Sequence, residues 1–417
     1  MPLLLCFALI LLAAVLLSSL ANRTILSTAV LFLVAGFVLG EGVTGVVPLT
    51  PSDPSVKLLA ELALFAVLFT DGMKVGWPQL RTAWRLPGRA LGWGMPLTLV
   101  ITALAAHFIV GLGWPESLLI GAVLAPTDPV FASALVGNDK VPPRLRHLLN
   151  VESGVNDGIA LPFVMVFLAI SAGSGDLGLG ALGLELLLGL VIGLAVPWLA
   201  LRLERLRFFS ASTQYEPLNA LAIGIVVLAL AQAVHGNLFI AAFTAGITVA
   251  TFGSRQRQAF EHFGELIAEL LKLAALLVFG VLISPAFLAE ISWAGWLFVV
   301  VAIFVARPVA LWFSFLGARL NLREQAAAMW FGPKGFASVV YGLIVLKSGI
   351  AGADLLFHLI AGTIVVSILL HSSTDVVVAR WLDDAAETPA WHRRLRRFTG
   401  TDRSEPSGGE KAHAARS

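Results

Sequence analysis

A single cysteine, Cys6, stands in a chain of 417 residues, so no internal disulfide can form and no cysteine cluster can hold a metal. Charge is scarce as well: 13% of residues are Asp, Glu, Lys or Arg, against about 25% in an average soluble domain. A water-facing surface of ordinary composition is thereby excluded. No basic residue precedes Arg23, which follows the apolar run 3–20. A cleaved leader needs a basic n-region before its apolar stretch, so this first segment is expected to be retained. Neither tyrosine, Tyr215 or Tyr341, is followed by Asp. Gly173-Ser174-Gly175-Asp176 therefore lacks the partner motif of an intramembrane aspartyl protease. Gly40-Glu41-Gly42-Val43-Thr44-Gly45 and Gly178-Leu179-Gly180-Ala181-Leu182-Gly183 fit a dinucleotide fingerprint in spacing, but neither lies between a strand and a helix. Both read as loop or helix-packing glycines.

What the chain has in quantity is apolar sequence: 58% of its residues are hydrophobic, and its mean hydropathy is +0.88. Runs long enough to cross a bilayer of roughly 30 Å number about thirteen. They lie near 3–20, 25–47, 56–73, 88–111, 116–136, 147–171, 177–201, 217–234, 237–253, 263–283, 293–317, 325–346 and 354–379. The expected fold class is an all-α integral membrane protein, with a transmembrane domain over 1–380 and a polar, disordered cytoplasmic tail over 381–417.

Lys and Arg accumulate in cytoplasmic loops. Alternate loops hold Arg23; Lys74, Arg81, Arg85 and Arg89; Lys140, Arg144 and Arg146; Arg202, Arg205 and Arg207; Arg255 and Arg257; Arg319 and Arg323; the tail adds eight more, beginning at Arg380. Of 28 basic residues only Lys57 and Lys347 fall in loops on the other side. The amino terminus is expected outside and the tail inside. The basic residues of the tail, Arg393-Arg394-Leu395-Arg396-Arg397 among them, read as a positive-inside anchor, and the charge distribution calls for no nucleic-acid partner.

Two strings place charge where it is costly: Thr127-Asp128-Pro129, and Glu152-Ser153-Gly154-Val155-Asn156-Asp157 in the next span. An ionisable group in a lipid-spanning segment costs on the order of 2.5 kcal/mol or more unless it faces a bundle interior or water. Pro126 and Pro129 flank Asp128, and each removes a backbone hydrogen bond, so this span is expected to be a broken helix lining a cavity. Glu152 and Asn156 share one helical face, with Ser153 and Asp157 on the adjacent stripe. Asp128 and Asp157 can then face one cavity, with Thr127 and Ser153 adding hard oxygens suited to a small monovalent cation. Protons and cations compete for such oxygens, and a site that crosses reluctantly when unloaded couples the two fluxes.

The second half carries a matching interruption, Phe331-Gly332-Pro333-Lys334-Gly335 in the twelfth span, preceded by Arg307-Pro308 in the eleventh. Interrupted spans at corresponding places suggest an inverted repeat with the ion site at its interface. Arg307 and Lys334 are in place to compensate buried negative charge.

With these residues in view, the chain resembles the NhaP-like branch of the monovalent cation/proton antiporters, which also includes the animal sodium/proton exchangers. The resemblance rests on the Thr-Asp-Pro and Glu-Ser-x-x-Asn-Asp strings and extends over residues 1 to about 380. It implies that Asp157 carries the cation and the proton, that Asp128, Thr127 and Ser153 belong to its ligand shell, and that Asn156 holds the unwound backbone of the fifth span. It implies that Asp71 approaches the site from the third span and that Glu152 pairs with Arg307. Lys334 stands where the family commonly has Arg, and Asp71 follows Thr70 where relatives often carry Glu. The resemblance further implies spans 5 and 12 as two broken crossing helices, and a core of about 88–171 and 293–379 moving against a dimer-making scaffold of about 3–73 and 177–283. The implied activity is electroneutral one-for-one exchange of sodium, and of lithium, for protons, with no other cofactor; the implied partners are the lipid bilayer and a second copy of the chain.

Glu265, Glu269 and Lys272 fall at helical spacings outside that core and are expected to form a structural pair on their own helix rather than a pH sensor. His107, His358 and His371 are expected to be packed or interfacial. A potassium/proton exchanger, a sodium-coupled solute symporter, and a channel or membrane enzyme stay open as alternatives, because ligand type alone separates none of the cations.

Overall fold

Prolines and short polar residues set where the helices begin. Pro54, Pro87, Pro115, Pro143 and Pro217 each stand in the first turn of a helix, where a missing N–H costs nothing. Ser27, Asn237, Ser292 and Asn321 cap others by accepting backbone N–H groups, and Asn321 completes a capping box with Glu324.

The computed structural model describes residues 2–21, 27–75, 86–128, 141–206, 215–318 and 320–386. All regular structure among the described residues is helical. In chain order the main helices are α1 (Pro2–Ala21), α2 (Thr28–Leu39), α3 (Pro54–Lys74), α4 (Pro87–Val110), α5 (Trp114–Leu124), α6 (Pro143–Ser171), α7 (Asp176–Glu204), α8 (Glu216–Ala233), α9 (Leu238–Phe252), α10 (Ser254–Leu282), α11 (Trp293–Ser314), α12 (Leu322–Trp330), α13 (Phe336–Lys347) and α14 (Ala353–Ala386). Six helices are long and apolar enough to cross a membrane among the described residues: α4, α6, α7, α8, α11 and α14. Among the described residues, each of the thirteen apolar runs of the sequence overlaps a helix, but the limits move. The second run leaves its helix at Gly40 instead of continuing to 47, and the tenth begins its helix at Ser254, nine mostly polar residues before its apolar part.

The fifth and twelfth runs are not continuous helices. α5 ends at Leu124 and the backbone is non-helical from 125 to 128; Pro129 and the rest of that run lie outside the described residues. In the twelfth run residues 331–335 separate α12 from α13. At Arg307-Pro308 the expected interruption takes another form, a π-helical turn over Ala302–Ala306 inside α11. Pro308 has no N–H to return to the preceding turn, and one widened turn absorbs the loss without parting the helix. The tail expected to be disordered from 381 begins as helix, because α14 runs on to Ala386; residues 387–417 lie outside the described residues, as does the expectation of their disorder.

α9 packs on α3, and α10 packs on α2 and α3. Gly72 against Gly246, and Gly36 against Gly280, let these backbones meet at distances where a Cβ would collide, the small-residue packing usual between helices in lipid. α5 packs between α4 and α6, and α13 packs on α14. A second apolar cluster, including Leu145, Leu148, Leu311, Phe331 and Leu382, gathers the ends of α6, α11, α12 and α14. Arg144 on α6 donates to both carboxylate oxygens of Glu324 on α12, at 2.8 and 2.5 Å, beside that cluster.

Candidate functional site

The two interruptions meet. The backbone N–H of Asp128 donates to the Pro333 carbonyl at 3.0 Å, and the Phe336 N–H, first in α13, donates to Asp128 Oδ2 at 3.3 Å. The Asp128 carboxylate thus caps a helix N-terminus, where the helix dipole favours negative charge. Ser338 on α13 donates to the Val123 carbonyl at 2.7 Å, so the last turn of α5 and the first of α13 are tied side by side. Backbone that has left its helix needs other partners, and here the two breaks supply some of each other's.

α6 runs beside this junction. Asn156 Nδ2 donates to the Thr127 hydroxyl at 2.8 Å and to its carbonyl at 3.1 Å, holding the non-helical residue by side chain and backbone together. Asn156 Oδ1 has no hydrogen-bond partner among the described residues. Asp157 follows it, 5% exposed, with its backbone carbonyl accepting the Tyr341 hydroxyl at 2.8 Å. Ser153 lies one turn earlier on the Asp157 stripe and is buried. Pro162, inside α6, has no N–H to donate to the Gly158 carbonyl just past Asp157, so the helix lacks that bond.

Glu152, one turn before Asn156, meets Arg307, which holds it bidentately at 2.6 and 3.1 Å. Arg307 Nη2 also donates to the Phe331 carbonyl at 3.1 Å. One guanidinium therefore joins α6, α11 and the end of α12. Lys334, in the same interruption, is buried with its Nζ unpartnered among the described residues, while its backbone N–H donates to the Ser367 hydroxyl at 2.8 Å. Asp71 is paired on its own helix with Lys74 at 3.3 Å and lies within electrostatic reach of Asp128 and Asp157.

One expectation is corrected. Lys272 forms no pair confined to α10: its ammonium stands 3.3 Å from Asp128 Oδ2, with both side chains nearly buried. Glu265 pairs instead with Lys74, on α3. Spacing along one helix registers partners on that helix and is blind to a carboxylate brought in by α5. The missed signal was the position of Lys272 at the start of a wholly apolar stretch, the same argument that singled out Asp128. Tyr341 and Ser338 were missed because hydroxyls in a span carry no charge to flag them. The three histidines are packed: His107 stacks on Trp114, His358 on Phe287, and His371 lies between the Ser367 and Trp330 carbonyls.

The breaks fit together with no space to spare. A Cβ on Gly335 would run into the Asp128 side chain, and one on Gly332 into Arg307. Gly335→Ala is expected to destabilise the purified protein by about 1–3 kcal/mol, the cost of overpacking a filled interior. Gly183→Ala, where a Cβ meets open space on α7, should leave the melting temperature in detergent unchanged or raise it. Equal melting temperatures for wild type and Gly335→Ala would refute the close seating of Asp128.

The profile described as sodium/hydrogen exchanger, transmembrane, matches residues 8–381. The chain is 26% identical over 381 residues to the K(+)/H(+) antiporter NhaP2 of Shewanella baltica, covering 89% of this chain and 65% of that protein. It is 29% identical over 379 residues to the K(+)/H(+) antiporter NhaP of Alkalimonas amylolytica, covering 90% and 65%. The chain thus spans just under two-thirds of the length of these relatives. Among solved structures, the sodium proton antiporter MjNhaP1 from Methanocaldococcus jannaschii at pH 8 shares the fold, with a TM-score of 0.73 at 19% identity over 92% of this chain and 100% of that one.

Proposed function

The chain belongs to the transmembrane sodium/hydrogen exchanger family, and from that premise we propose that it exchanges a monovalent cation for protons by alternating access. The observation that carries this reading is the buried meeting of Asp128, Thr127 and Asn156 between two interrupted helices, with Asp157 and Ser153 on the adjoining α6. In the proposed cycle the carboxylate of Asp157 alternates between proton and cation. Asp128, Thr127 and Ser153 lend oxygens to the ion, Asp71 approaches from α3, and Asn156 keeps the unwound backbone in place. Glu152, Arg307 and Lys334 support the site without holding the cargo. Because proton and cation compete for the same carboxylate oxygens, the apparent cation affinity should weaken as pH falls.

The rest of the reading belongs to the same proposal: an inverted repeat, a core of spans 4 to 6 and 11 to 13 moving against a scaffold, an outside amino terminus and a homodimer. The outward face of α7, with Leu184, Leu187, Val191 and Leu194 exposed, suits lipid or a second copy.

Sodium, with lithium, is the proposed cargo, in electroneutral one-for-one exchange. Potassium is the second reading, favoured by the naming of the Shewanella and Alkalimonas relatives as K(+)/H(+) antiporters. Everted vesicles with an acid interior, followed by a pH-sensitive dye, test both. Sodium is expected to dissipate the gradient, and at saturating sodium a change of membrane potential should alter the rate little. Dissipation by potassium alone would establish the second reading. No dissipation by any monovalent cation from mildly acidic to alkaline pH would overturn the exchange reading altogether.

A further inference from the structure

Lys272 comes from outside the junction it enters. Its helix, α10, packs on α2 and α3, while Asp128 belongs to the interrupted segment tied to α13. The ammonium reaches both carboxylate oxygens, at 3.3 and 3.5 Å, and the two side chains are 8% and 5% exposed. Charge-assisted N–H to carboxylate bonds run to about 2.7–2.9 Å when tight. This contact is longer and shared between two oxygens, so it supplies charge without locked geometry. Around it stand Glu269 one turn earlier on α10, Asp71 on α3 with its own Lys74, and Asp157 on α6.

The geometry points to Lys272 as a tethered cation: its ammonium occupies the transported ion's place on Asp128, and an arriving ion gains that carboxylate by displacing it. The inference rests on the reading of Asp128 as part of the exchange site. A carboxylate at membrane depth is costly without a counter-charge. With Lys272 on its flexible four-carbon stem, Asp128 is neutralised when no ion is bound, and one positive charge replaces another when an ion arrives. Glu269, on the same face of α10, is placed to receive the displaced ammonium. Lys272 is thus a positioning residue that sets cation affinity, and it links α10 to the junction for as long as the site is empty.

A competitor within the same molecule reduces apparent affinity by the fraction of time the site is open. If Lys272 leaves Asp128 free in about a tenth of molecules, its removal tightens cation binding about tenfold. The test uses the full chain, purified and reconstituted, as wild type, Lys272→Met and Lys272→Arg. The readouts are the half-saturating sodium and potassium concentrations at one alkaline pH and, in detergent, the cation concentration that half-raises the melting temperature. Lys272→Met is expected to lower both by about tenfold. Lys272→Arg is expected to raise both, because the planar fork of guanidinium grips a carboxylate more firmly than ammonium does. Loss of a merely structural lysine would lower stability and maximal rate and shift the two variants' half-saturation in the same direction, and that result overturns the inference. Should Lys272→Met fail to fold, Lys272→Arg decides alone: an unchanged or lower half-saturating concentration refutes the tethered cation. A wild-type protein that exchanges no cation and gains no stability from one overturns the exchange reading and this inference with it. Wild-type exchange with an unchanged Lys272→Met value overturns this inference alone.

Discussion

Asp157→Asn is expected to abolish exchange while leaving the fold intact. The substitution keeps the shape of a buried side chain that is 5% exposed and removes the group that can hold a proton at one moment and a cation at the next. Nothing in the packing of α6 depends on that charge: the Tyr341 hydroxyl bonds the Asp157 backbone carbonyl, which the change preserves. Taking a charge out of a poorly solvated interior relieves a desolvation cost, so the melting temperature should be unchanged or higher. The measurement is cation-driven proton movement in proteoliposomes, with yield and elution volume as controls. Robust exchange by a well-folded Asp157→Asn would remove Asp157 from the carrier role, and a collapsed elution profile would mean its role is structural.

Glu152 and Arg307 should behave in the opposite way, with a large effect on stability. Breaking a buried pair by deleting one partner costs roughly 3–5 kcal/mol, because the other charge is left uncompensated. Glu152→Ala and Arg307→Ala are each expected to lower the melting temperature in detergent by that mechanism, and the double substitution should lose less than the two singles together. Some loss will remain in the double variant, since Arg307 also donates to the Phe331 carbonyl that ends α12. For the same reason Arg307→Lys should rescue little: an ammonium cannot span Glu152 and Phe331 in one plane. Strict additivity in the cycle would show that the bidentate contact contributes nothing.

The membrane class and the succession of helices were legible in the chain because both depend on local properties. An apolar run longer than a bilayer is thick, a proline in a first turn, or a Ser or Asn cap acts within a few residues of itself. The two strings around Asp128 and Asp157 could be found for a related reason: charge in lipid is costly wherever the rest of the chain goes. That α5 ends before Asp128 followed from its prolines. That residues 331–335 leave the helix followed from Gly332, Pro333 and Gly335.

Three features required the assembled structure. Lys272 joins Asp128 across 144 positions. The Phe336 N–H reaches the same carboxylate across 208. Arg307, directly after the π turn, donates to the Phe331 carbonyl across 24 positions. Hydropathy and helical spacing order residues along one axis, whereas these pairings depend on how closely neighbouring axes approach and at what rotation. Those quantities are decided by glycine contacts such as Gly335 on Asp128 and Gly332 on Arg307. The sequence determined which groups could not be left to lipid, and only the packing of α10 and α11 around the interrupted segments and α6 decided which of them would answer each other's charge.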